Sequence, residues 1–161
     1  MTTSAEFQGF SSLGDGTITS DGTYLYLLSK NSILYKFDKN FEFIQMQDIT
    51  TGSFQAFHPS GDITTDGTYL YLISANSILY KFDKDFNFVE MRDIMTTTAE
   101  FQGFHSLGDG TITTDGTYLY LLSANSILYK FDKDFNFVEM QDILSGAVGF
   151  QAFASPGDIT I

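Results

Sequence analysis

The sequence predicts an all-β fold made of repeated four-stranded antiparallel sheets. Three observations lead there. The first is a long phrase, DGTYLYLISANSILYKFDKDFNFVEMRDI, running from Asp66 to Ile94. It returns at Asp115 to Ile143 with Leu122 for Ile73 and Gln141 for Arg92. An earlier copy at Asp21 to Ile49 differs more, with Lys30, Asn40, Glu42, Ile44 and Gln45 among its changes. The copies are spaced by 45 and then 49 residues, the signature of a repeat architecture. The second observation is that each phrase breaks into short aromatic or β-branched runs bounded by turn residues. The third is that the runs are apolar on both alternating faces.

Each repeat yields four strands. Ile63-Thr64-Thr65 is the first, short and small. Asp66-Gly67 follows, and Asp-Gly favours a tight two-residue hairpin because both positions tolerate positive φ. Tyr69 to Ile73 is the second strand, with Tyr69 and Tyr71 on one face and Leu70 and Leu72 on the other. The SANS connection places Asn76, and likewise Asn125, where turn geometry is needed. Ile78-Leu79-Tyr80-Lys81-Phe82 is the third strand, and Asp83-Lys84-Asp85 makes a polar break after it. Phe88-Val89-Glu90-Met91 is the fourth and most polar, as an outer strand facing solvent should be.

A second strand apolar on both faces needs a neighbour on each side, unlike a sandwich strand with one wet face. Four-stranded sheets stacked radially provide this, and the predicted architecture is a β-propeller of four-stranded antiparallel blades. The chain reads as a single domain over 1–161, with repeats at about 1–49, 50–94 and 95–143 and a partial one at 144–161. The last piece, ending Gly157-Asp158-Ile159-Thr160-Ile161, is one extra first strand. Closed propellers have roughly four to eight blades. Three blades would leave two apolar faces open, so closure by a homodimer into a six-bladed ring is expected. In that ring one terminal strand per chain is surplus.

A tetrad precedes each first strand: Phe7-Gln8-Gly9-Phe10, Phe54-Gln55-Ala56-Phe57, Phe101-Gln102-Gly103-Phe104 and Phe150-Gln151-Ala152-Phe153. The loops after copies one and three carry two extra residues, giving an odd-even double repeat of 94 residues. Near-identity extends to Lys84 and Lys133, and to Asn87 and Asn136, which read as surface positions fixed by recent duplication or design rather than by packing.

The chain has 161 residues, 17 Phe, 9 Tyr, no Trp and a formal charge of −12. It is too hydrophobic for a disordered chain. The acidic balance opposes binding to nucleic acid or to an anionic membrane. No run reaches membrane-spanning length, the N-terminus has no signal-peptide pattern, and the compartment is left open. Without cysteine there is no disulfide framework.

No catalytic constellation stands out, and the chain is not expected to be an enzyme. His58 and His105 are its two histidines, both in loops, with no Gly-x-Ser-x-Gly stretch nearby. Asp83, Asp85 and Asn87, repeated as Asp132, Asp134 and Asn136, resemble the opening of a calcium loop. The sixth position is Phe88 rather than Gly and the twelfth is Ile94 rather than Glu, so these read as polar hairpin turns; no metal or cofactor is expected. The candidate ligand-binding residues are Phe54, Gln55, His58, Phe101, Gln102 and His105. Aromatic and amide groups repeated around a ring suit multivalent glycan binding; they are also what blade-to-blade linkers look like, which is the plainer reading, and a peptide-binding surface is a third.

The Asp-Gly-Thr-Tyr-Leu-Tyr-Leu run of Asp66 to Leu72, followed by Ile78-Leu79-Tyr80-Lys81-Phe82-Asp83, resembles blades of the β-propeller superfamily, kelch-like and NHL-like ones among them. The Gly-Gly pair of kelch and the terminal Trp-Asp of WD40 repeats are missing. Some lectin propellers share the repeat length. The resemblance implies a propeller fold; propellers include enzymes, lectins and protein scaffolds, so the fold does not choose among them. The expected role is a binding module, for glycans by preference, with a self-assembling structural or engineered module as the alternative.

Overall fold

The structure is a computed structural model, and it describes residues 16–50, 61–94, 110–124 and 126–143. Three four-stranded antiparallel sheets appear in chain order. The first holds β1 (Thr17–Ser20), β2 (Tyr24–Leu28), β3 (Ile33–Asp38) and β4 (Phe43–Asp48). The second holds β5 (Gly61–Thr65), β6 (Tyr69–Ser74), β7 (Ile78–Asp83) and β8 (Phe88–Asp93). The third holds β9 (Thr111–Thr114), β10 (Tyr118–Leu122), β11 (Ile127–Asp132) and β12 (Phe137–Asp142). Every sheet is a simple meander, as blades of a propeller are.

The short first strands form the inner edge, β1 against β5 and β5 against β9. Small Thr and Ile side chains allow that close approach. The outer strands β4, β8 and β12 alternate or stay exposed, with Met46, Met91 and Met140 reaching solvent. The strand of the fourth repeat, 157–161, lies outside the described residues.

Both faces of the middle strands are buried where a blade has two neighbours. Leu70, Leu72, Tyr80 and Phe82 pack towards the first blade, on Tyr26, Leu28 and Leu34. Tyr71, Ile73 and Leu79 pack the other way, on Leu119, Leu121 and Tyr129 of the third blade. Two apolar layers therefore lie between three sheets, and burying each such side chain contributes about 1.5–3 kcal/mol.

The hairpins differ from the sequence expectation in their centres. Thr65 pairs with Leu70, so Gly67-Thr68 are the central residues and Asp66 precedes them. Gly67 alone has positive φ, at 86°, the pattern of a type II′ turn. Asp66 caps this turn through Oδ1, which accepts from the Thr68 and Tyr69 amides at 2.8 Å each. In the SANS turn the left-handed residue is Ser77 (φ 66°) rather than Asn76. The β3–β4, β7–β8 and β11–β12 hairpins use the same scheme, with Phe41, Phe86 and Phe135 at φ 60–65°. A bulge between Lys81 and Phe82 precedes the second of these loops, and the other two blades repeat it.

Candidate functional site

The chemistry-bearing side chains gather at the seams between blades. Each seam joins the Asp-Gly turn and middle strands of one blade to the Asp-Lys-Asp-Phe loop of the next. At the first seam, Phe86 inserts edge-on against Tyr26, ring centroids 6.3 Å apart. At the second, Phe135 meets Tyr71 at 6.2 Å. A left-handed conformation costs a bulky residue about 1–2 kcal/mol. Burial of a whole Phe side chain offsets it, because Phe86 and Phe135 are each only 1% exposed.

Beside each ring sits a buried carboxylate. Lys84 Nζ donates to Asp21 Oδ2 at 2.8 Å, and Lys133 Nζ donates to Asp66 Oδ2 at 2.6 Å. The two carboxylates are 1% exposed. Burial alone would raise their pKa. The lysine, two backbone amides and, for Asp21, the Tyr26 hydroxyl outweigh it and hold both carboxyls below the ordinary range. Lys84 and Lys133 are thus not free surface positions: they bridge blades, which corrects the sequence reading.

A lysine reaches back the other way. Lys36 Nζ donates to the Lys84 carbonyl at 2.8 Å and to Asp85 Oδ1 at 3.1 Å, and lies 4.6 Å from the Tyr24 ring centroid. Lys81 does the same with the Lys133 carbonyl at 2.9 Å and Asp134 at 3.5 Å, and also pairs with Glu90. Its pKa is raised: burial opposes the charge, but Glu90 and Asp134 outweigh it. Polar groups of the outer strand close the seam: Gln45 Nε2 donates to the Asp85 carbonyl, and Arg92 Nη1 to the Phe135 carbonyl, each at 2.9 Å. A lone lysine inside the apolar run ILYKFD was the sequence signal for this. The left-handed phenylalanines gave none.

The calcium-like residues have other roles. Asp83 Oδ1 accepts from the amides of Asp85 and Asn87, and its Oδ2 from the Asn87 side chain at 2.8 Å. Asp132 caps its own loop through Asp134 and Asn136 in the same way. Asp85 and Asp134 turn away towards Lys36 and Lys81. The oxygens therefore do not converge on one point. Phe54, Gln55, His58, Phe101, Gln102 and His105 lie outside the described residues.

The first and third blades each present one half of a seam. On the first blade, Phe41 occupies the same left-handed position as Phe86 but is 76% exposed. Ile18 is 61% exposed, whereas its counterparts Ile63 and Ile112 are buried. On the third blade, Asp115 has the Asp21 geometry, capping Thr117 and Tyr118 and accepting from Tyr120 Oη at 2.9 Å. Lys130 donates to Glu139 of its own blade at 3.0 Å. A pocket of about 240 Å³ opens on this face between Tyr120, Leu128, Lys130, Glu139, Met140 and Gln141.

No protein-family model matches the chain, and no curated protein matches it. Solved structures do. The glutaminyl cyclase of Myxococcus xanthus aligns with TM-score 0.58 and 13% identity over 80% of this chain and 53% of that one. The WD40 repeats of RRP9 align with TM-score 0.57 and 11% identity over 77% and 37%. BamB from Moraxella catarrhalis aligns with TM-score 0.53 and 11% identity over 76% and 33%. The chain spans about a third to a half of the length of these neighbours. At such identities the likeness establishes the fold, which is that of β-propeller blades.

Proposed function

We propose that the chain is a non-catalytic propeller module that works by binding. The observation that carries this reading is the commitment of its buried charged groups. Asp21, Asp66, Lys36 and Lys81 are engaged in seams that hold blades together, while Phe41 and Ile18 of the first blade are exposed and a pocket opens beside Tyr120 of the third. Groups tied up in mutual ion pairs position surfaces; they are not poised to exchange protons with a substrate.

Two kinds of surface serve a binding role. The open faces suit a protein surface of blade-like chemistry. The segments that carry Phe54, Gln55 and His58, and again Phe101, Gln102 and His105, have a composition that suits glycans, since weak repeated sites gain from multivalency. A glycan array probed with the purified chain tests the second kind. Binding that is lost in Gln55→Ala and Gln102→Ala supports a lectin-like role. Absence of binding to every glycan removes it and leaves the open faces as the working surface.

A further inference from the structure

We propose that the open face of β9–β12 is the docking site for the β3–β4 loop of a second copy of this chain, so that two copies close head to tail into one six-bladed ring. The inference rests on the binding role proposed above and names the partner. It is argued from a contact the molecule already makes twice. Each internal seam takes a left-handed Phe and its preceding lysine from one blade. It receives them on a Tyr, a turn-capping Asp and a mid-strand Lys of the blade before.

The two open faces hold the two missing halves. Phe41 and Lys39 stand where Phe86 and Lys84 do, and Asp115 and Tyr120 stand where Asp21 and Tyr26 do. The receiving half is preformed, because Asp115 already accepts from Tyr120 Oη as Asp21 accepts from Tyr26 Oη. The third blade has a pocket beside Tyr120 and Lys130, where the internal seams seat a phenyl ring. Phe41 is an independent sign. At φ 64° and 76% exposed, Phe41 lacks the ring burial that offsets the same conformation at Phe86 and Phe135, and a partner covering the ring would supply it. Charge agrees: Lys39 is offered by one end and Asp115 by the other. Such halves differ from each other, so the contact is directional and a pair of copies makes it twice. Two copies give six blades, inside the range of roughly four to eight at which propellers close; three copies would exceed it.

Solution mass by light scattering over a concentration series tests this on the whole chain. The expected species is a sharp dimer at twice the 18.0 kDa chain mass. Phe41→Asn should give a folded monomer, because Asn tolerates left-handed geometry and the ring it replaces is exposed. Lys39→Glu should raise the dimer dissociation constant at least about tenfold through repulsion from Asp115. Adding Asp115→Asn, which keeps the oxygen that caps the turn, should recover part of that loss, as only directly facing residues do. A folded wild-type monomer at every concentration overturns the inference. So does a dimer indifferent to Phe41→Asn, or a ladder of species growing with concentration in place of a closed pair. A monomer that still binds glycans would overturn the second copy as partner while leaving the binding role intact.

Discussion

Phe86 and Phe41 share a loop position and a backbone conformation, and differ in what covers them. Phe86 is 1% exposed and Phe41 is 76% exposed. Phe86→Ala removes a buried ring and should lower the unfolding free energy by about 3 kcal/mol. The same change at Phe41 should stay within about 0.5 kcal/mol for the monomer. Urea unfolding at low protein concentration measures both; equal effects would mean the seam does not draw its stability from the ring. The ion pair beside it is a smaller contribution. Lys133→Ala takes one donor from the buried Asp66 carboxylate but leaves its two backbone amides. A loss of about 1–2 kcal/mol is expected, since the lysine is partly solvated.

At the scale of the hairpin, Gly67 separates conformation from packing. It has φ 86°, and a Cβ added there would meet nothing within 4 Å. Gly67→Ala should therefore cost about 1 kcal/mol, from backbone strain alone. A loss several times larger in urea unfolding would reveal a clash the geometry does not contain. The strands were legible in the sequence because the Tyr-Leu alternation is apolar on both faces, and only a sheet with two neighbours satisfies it. The Asp-Gly signal places the turns one residue early. Asp-Gly is a strong hairpin signal, yet the Asp66 carboxylate does more as a cap for Thr68 and Tyr69 than as a central residue. The seam was half legible. Lys81 stood out as a charge in an apolar strand, but its acceptor, the Lys133 carbonyl, is backbone and leaves no trace in residue type. Left-handed phenylalanine runs against the preference of the residue type, and Phe41 keeps φ 64° while 76% exposed, so the Asp38-capped loop rather than burial of the ring fixes the conformation. The same loop position holds Phe in all three copies, and the SANS turns likewise end on a left-handed fourth residue.

For the whole molecule, the seams make stability depend on pH from both ends. Asp21 and Asp66 have depressed pKa values in the folded chain, so protons bind the unfolded chain more readily. Their contribution is present above about pH 4 and fades as pH falls below it. The urea midpoint should drop as pH falls below about 4, and less steeply in Lys84→Ala, where Asp21 has lost its nearest cation. At high pH the buried tyrosines take over. Burial, with a smaller push from Asp93 and Asp142 respectively, raises Tyr80 and Tyr129 to about 12. Tyr26 and Tyr71, buried against Asp21 and Asp66, are raised as well. These groups lose protons more easily once unfolded, so the stability they contribute is complete below about pH 10 and is lost as pH rises from there towards 12. Phenolate absorbance and circular dichroism recorded on one sample should show exposed tyrosines ionising first, and then the buried ones ionising together with loss of β-structure. If all nine tyrosines titrate near pH 10 while the sheet signal stays intact, the rings between the blades are open to solvent, and the packing of the seams described above is wrong.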